Sequence, residues 1–190
     1  MRTFISLNPD ENTKDEIFKI QKDLIRCISD LNGKLHNHIK WESKDKFHLT
    51  LFFIGETNES QLSKTDGRLS GILTDNFADG ITFGYGGINA FPKMRYPRVI
   101  ILELVNEDKR AFDLYRNINS ALKSLEIHCD KKFHPHITLG RVKRDHKINL
   151  SELNFSTDHN LNFTLSDFCL MESKLKSSGS EYSLIKKYNL

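Results

Sequence analysis

Two short stretches of this chain carry the residue types from which proton-transfer chemistry is built. "FHLTLFFIG" runs from Phe47 to Gly55 and "FHPHITLGR" from Phe133 to Arg141, and each holds His-x-Thr-Leu: His48 to Leu51 and His136 to Leu139. Side chains alternate along a strand, so His48 and Thr50 take one face while Leu49 and Leu51 take the other, and the second copy behaves alike. If both strands face one cleft, two imidazoles and two hydroxyls converge. Cleaving a phosphodiester needs one group to take a proton from the nucleophile and another to give one to the leaving oxygen. Histidine titrates near neutral pH and does either. Threonine hydroxyls suit the non-bridging oxygens, whose charge needs fixed donors. Arg141 adds a cation, although strict alternation turns it away from His136 and Thr138, so it serves the site from a strand end or not at all.

Other readings compete. A single His-x-Thr on a strand is an ordinary accident; two copies, both in alternating apolar contexts and both followed by Leu, are harder to set aside. The His-x-His pairs His36/His38 and His134/His136 suggest zinc, but no nearby carboxylate or cysteine completes a ligand set. His128, His146 and His159 read as solvated loop residues. Phe52 falls on the His48/Thr50 face by alternation and could stack on a base, although core is the better expectation for it and for most of the 13 Phe.

These motifs need elements to hold them. "RTFISL" alternates as a strand from Arg2. Asn8, Pro9 and Glu11 mark a helix start. Ile17, Ile20, Leu24, Ile28 and Leu31 then form one apolar face, which predicts a helix over Pro9–Leu31. A short strand is expected at His38–Trp41 and a second helix from Asn58 to about Phe77 through Leu62, Leu69, Ile72 and Leu73. The glycines of "GITFGYGGINAFP" predict a bulged strand, and Arg98–Val105 reads as a buried one. A third helix is expected over Glu107–Leu125 with Ala111, Tyr115, Ile118, Leu122 and Leu125 inward. "LNFTLSDFCLMES" and "EYSLIKKYNL" read as two closing strands. Strands singly and in pairs between helices favour an α+β fold with largely antiparallel sheets.

Composition sets the bounds. The 190 residues are 38% hydrophobic and 28% charged, enough for a packed core. A net charge of +3 permits an anionic substrate but is thin for coating duplex DNA. The three cysteines, Cys27, Cys129 and Cys169, form no CxxC, so a disulfide framework is not expected and a reducing, cytoplasmic setting is. No apolar run has signal or membrane-spanning length, so no membrane contact is expected.

The pair HLTL and HITL, with "MRTFISL", "AFPKMRYPRVIILEL" and the closing "LMESKLKSSGSEYSLIKKYNL", resembles the RNA 2′,3′-cyclic phosphodiesterases of the two-histidine phosphoesterases, historically called 2′-5′ RNA ligases. The similarity runs in order along essentially the whole chain. It implies one bilobal domain over residues 1–190, with pseudo-two-fold halves, two largely antiparallel sheets lining a central cleft and helices outside. It implies hydrolysis of 2′,3′-cyclic phosphate ends of RNA or oligonucleotides to 2′-phosphates, with no cofactor, no metal and no obligate protein partner. His48 would be the proton donor and His136 the acceptor, with Thr50, Thr138 and Arg141 holding the phosphate. The chain departs from the family at Phe52, often basic, and at His134, often arginine, which bears on substrate preference. Sequence neighbours lean toward the same proton roles: Glu42, Asp45 and Glu56 flank His48, while Lys131, Lys132, Arg141 and Lys143 surround His136. Two rival functions stand beside this one: a module that binds a nucleotide or RNA end without turnover, and a phosphodiesterase acting on 2′-5′ oligonucleotides or a small cyclic nucleotide.

Overall fold

The computed structural model describes residues 1–31, 33–72, 77–129, 132–156, 159–176 and 179–190. The chain runs β1 (Arg2–Leu7), α1 (Glu11–Leu31), β2 (Ile39–Trp41), β3 (Leu49–Glu56), α2 (Glu59–Ser70), β4 (Ile81–Phe91), β5 (Val99–Val105), α3 (Arg110–Lys123), β6 (His136–Val142), β7 (Asn162–Leu165), β8 (Asp167–Lys176) and β9 (Gly179–Asn189). The strands are ordered β7-β4-β5-β6-β3-β1-β8-β9, with β2 added against β6, and each of these pairings is antiparallel. This order reads as a pseudo-two-fold. β5-α3-β6 mirrors β1-α1-β3, each flanked by two further strands. Between β3 and β6 the halves meet at Leu49 opposite Ile137. The mixed α/β architecture with antiparallel pairing is the one expected; the two expected sheets are joined through β3 and β6 into one curled sheet.

Local details differ from the expectation for physical reasons. The α1 cap is Asp10, whose carboxylate accepts the Thr13 amide at 2.8 Å. Asn8 is engaged elsewhere, accepting the Ser6 hydroxyl at 2.9 Å. Ile17, Ile20, Leu24 and Ile28 are buried as expected, with Gln21 among them, but Leu31 is exposed. Asn58 and Gln61 form a reciprocal capping box on α2, which stops at Ser70 with Gly71 as its C-cap. Leu73 lies outside the described residues. On α3 the inward face is Ala111, Leu114, Ile118 and Leu122; Tyr115 turns instead to Phe52 and Phe133. The expected single strand from Leu161 is two. It breaks at Ser166, β7 pairing with β4 and β8 with β1, in opposite halves of the sheet. Among the described residues no helix is long and apolar enough to cross a membrane.

Candidate active site

Leu49 and Ile137, the central residues of the two His-x-Thr motifs, form the seam between the halves, and both are buried in the core. Their side chains point inward, so the neighbours on either side face the cleft. The antiparallel sense around this pair sets His48 across from Thr138 and Thr50 across from His136. All four line one cavity of about 830 Å³.

Each strand departs from ideal alternation at the leucine after its threonine. In the β1–β3 ladder Ser6 pairs Thr50 and Ile5 pairs Phe52, skipping Leu51. In the β5–β6 ladder Ile101 pairs Thr138 and Ile100 pairs Gly140, skipping Leu139. One extra residue reverses the phase of everything after it. Phe52 therefore goes into the core at 0% exposure, and Phe53 comes to the cleft face at 50%. The base-stacking role considered for Phe52 falls away, and its core role holds. In β6 the same device turns Arg141 onto the cavity beside His136 and Thr138, where strict alternation had it facing away. The bulged Leu139 carbonyl is satisfied by the buried Gln21 amide at 2.8 Å and by the Glu42 amide at 2.9 Å.

The imidazoles are held alike. His48 Nδ1 donates to the Lys46 carbonyl at 2.7 Å and His136 Nδ1 to the His134 carbonyl at 2.6 Å. A carbonyl only accepts, so each ring carries its proton on Nδ1, and Nε2 is left to work. Aromatic rings fix the planes: Phe4 and Tyr182 lie 5.2 and 4.9 Å from His48, and Phe91 lies 5.1 Å from His136.

Both histidines titrate below the ordinary value. Burial is the main cause for each. For His48 the Lys46 carbonyl and Glu42 oppose it, while His136 and Arg141 add to it. For His136 the His134 carbonyl and Glu103 oppose it, while His134 and Arg141 add to it. Glu42 therefore bears on His48 as the sequence suggested, but Arg141 bears on both rings, and His136 has a carboxylate of its own in Glu103. Lys131 lies outside the described residues.

Arg141 is pinned by its Nε, which donates to Glu42 Oε1 at 3.1 Å. β2 brings this about by pairing Lys40 with Arg141, so that Glu42 follows directly. The remaining edge of the guanidinium makes no further hydrogen bond among the described residues. His134 lines the same cavity and meets Glu103 at 3.0 Å. The other histidines proposed as zinc ligands are engaged elsewhere: His36 with Ser29 at 3.1 Å and His38 against the His146 ring at 4.0 Å. His159, expected in solvent, pairs with Asp23 at 2.8 Å. Phe4, Phe53, Phe91 and Tyr182 also line the cavity, which the two motifs alone do not indicate. Phe53 had a signal: it stands at the same offset from His48 as Arg141 does from His136.

This geometry defines a class. The sequence profile of the LigT like phosphoesterases matches residues 7–101 and 102–182, and the chain belongs to that family. It is 28% identical to the RNA 2′,3′-cyclic phosphodiesterase of Archaeoglobus fulgidus over 99% of both chains. It is 32% identical to the enzyme of that name from Thermotoga maritima over 75% of this chain and 71% of the other. Among solved structures, TT0787 of Thermus thermophilus matches with a TM-score of 0.78 at 24% identity, covering 100% of this chain and 98% of that one. E. coli LigT complexed with 3′-AMP matches at 0.73 and 18% identity, covering 100% and 97%.

Proposed function

We propose that residues 1–190 form one bilobal catalytic unit that hydrolyses 2′,3′-cyclic phosphate ends of RNA to 2′-phosphates without a metal. The observation that carries this reading is the meeting of two His-x-Thr faces across the Leu49–Ile137 pair, each ring with Nδ1 committed to a carbonyl. Neutral His136 takes a proton from water through Nε2 while the water oxygen bonds to phosphorus. His48, protonated on Nε2, gives that proton to the 3′ oxygen as the P–O3′ bond breaks. The Thr50 and Thr138 hydroxyls and the open edge of Arg141 hold the two non-bridging oxygens as charge builds there. No cofactor enters this scheme. A cytoplasmic setting accords with the lack of a disulfide framework among Cys27, Cys129 and Cys169. The family membership and the names of the relatives support the reaction.

The test is turnover on RNA ending in a 2′,3′-cyclic phosphate, with product regiochemistry read by phosphorus NMR. A panel including 2′-5′-linked oligonucleotides separates the rival phosphodiesterase. Binding with no product from any member would leave the binding-module reading.

A further inference from the structure

The wall that the first half presents to the cleft is unlike its counterpart. Cross-strand register aligns Phe53, Phe4, Met171 and Leu184 in a row over β3, β1, β8 and β9. The neighbouring row is Arg2, Ser173 and Tyr182, and all three line the cavity. Leu184 stands two residues beyond Tyr182 on the same strand, hence on the same face, and is 56% exposed; Phe53 is 50% exposed. The matching row of the second half runs Arg141, Val99 and Phe91. One wall thus offers a guanidinium beside the imidazoles, and the other a row of aromatic and aliphatic side chains reaching the β9 edge, buried at Phe4 and exposed at Phe53 and Leu184.

We infer that this first-half wall is a track for single-stranded RNA, seating the bases of the nucleotides that precede the cyclic end. Two observations choose this occupant. The stripe is continuous with the chemistry, since Phe4 and Tyr182 both pack on the His48 ring. The charge also suits a polyanion: Arg2 makes no ion pair among the described residues and sits in register with Tyr182, while Lys132 and Arg141 line the same cavity. Open sheet faces carrying aromatics beside cations bind unpaired nucleotides by stacking, with little regard to sequence. The inference rests on the reaction proposed above and adds where the nucleotides preceding the cyclic end are seated.

The experiment compares a nucleoside 2′,3′-cyclic phosphate with a short oligoribonucleotide carrying the same end. Stacking contributes about 1–3 kcal/mol per base, so kcat/KM should favour the oligonucleotide by roughly 5- to 150-fold. Phe53→Ala and Leu184→Ser should each cut that preference several-fold, with unfolding midpoints confirming an intact fold; Phe53→Leu should retain part of it. Arg2→Gln should lower the salt slope of oligonucleotide binding by about one. Direct binding of a 2′-phosphorylated oligonucleotide against the matching nucleotide, by fluorescence anisotropy, reads the track even if no variant turns over, so failure of the reaction and failure of the track are told apart. Equal binding and turnover of both lengths, or a preference untouched by Phe53→Ala and Leu184→Ser, overturns the inference. So does a result in which those substitutions change only self-association, for then a second copy covers the wall.

Discussion

Removing the Glu42 carboxylate tests how the site holds its pinned guanidinium. The Arg141 Nε to Glu42 Oε1 distance is 3.1 Å, with side-chain exposures of 52% and 19%. Two unit charges about 4 Å apart interact by ~1 kcal/mol in water and ~4 kcal/mol at an effective dielectric of about 20. Arg141 is more than half exposed, so screening places the pair near the lower figure. A loss of ~1 kcal/mol in transition-state binding is about a fivefold fall in kcat/KM. Glu42→Ala should therefore cost roughly 5- to 10-fold, and Glu42→Gln, which keeps an acceptor for Nε, less. Arg141→Ala alone should cost ~10–10³ if its donors act on charge developing in the transition state. In that background Glu42→Ala should have lost most of its effect, because nothing remains to be positioned. A second signature is separate: Glu42 raises the His48 pKa, so its removal should move the His48-dependent limb of the pH profile to lower pH. The assay is steady-state hydrolysis of a cyclic-phosphate oligonucleotide by the wild type and these four variants over a pH series. Equal damage from Glu42→Ala with and without Arg141 would refute the positioning argument.

His48→Ala and His136→Ala should each slow turnover by ~10²–10⁴, and the double variant should fall short of their product, because the residues act as a unit. A model diester with an activated leaving group should largely rescue His48→Ala but not His136→Ala; rescue of the other variant would reverse the proton roles. Exhaustive chelation should leave the rate intact, and a loss restored by one divalent ion would reinstate the zinc alternative. Both imidazoles titrate below 6.5 in the fold. The unfolded chain therefore binds more protons as pH falls through 6.5, and stability present above that value should decline until the folded pKa values are passed. Urea midpoints over a pH series read this, and the His48→Asn, His136→Asn double variant should flatten the curve.

The motif residues were legible because the information is local. A strand's period of two separates imidazole from leucine without knowledge of the partner strand, and α1 announces itself by the spacing of Ile17, Ile20, Leu24 and Ile28. What failed at this level belongs to pairing. Nothing in "HITLGRV" says that Leu139 will be skipped by β5, and that omission alone turns Arg141 toward the cavity. The same holds for Leu51 and the exchange of Phe52 for Phe53. The split of the closing strand at Ser166 depends on which sheet ends its two pieces reach. Glu42 could be seen near His48 in sequence, but its grip on Arg141 needs β2 laid against β6.

The unlike residues at equivalent places in the two halves have a consequence for the division of labour between the two histidines. A pocket with perfect dyad symmetry would bind a cyclic diester equally well in two poses related by that dyad, and either histidine would then meet the leaving oxygen. The protein repeats its histidine and its threonine but not the side chain that the bulge delivers next, Phe53 on one side and Arg141 on the other. That mismatch gives the cleft a head and a tail. Under the proposed reaction, Phe53→Arg combined with Arg141→Phe should invert the polarity and exchange the proton roles of His48 and His136, read by which single histidine variant an activated leaving group rescues.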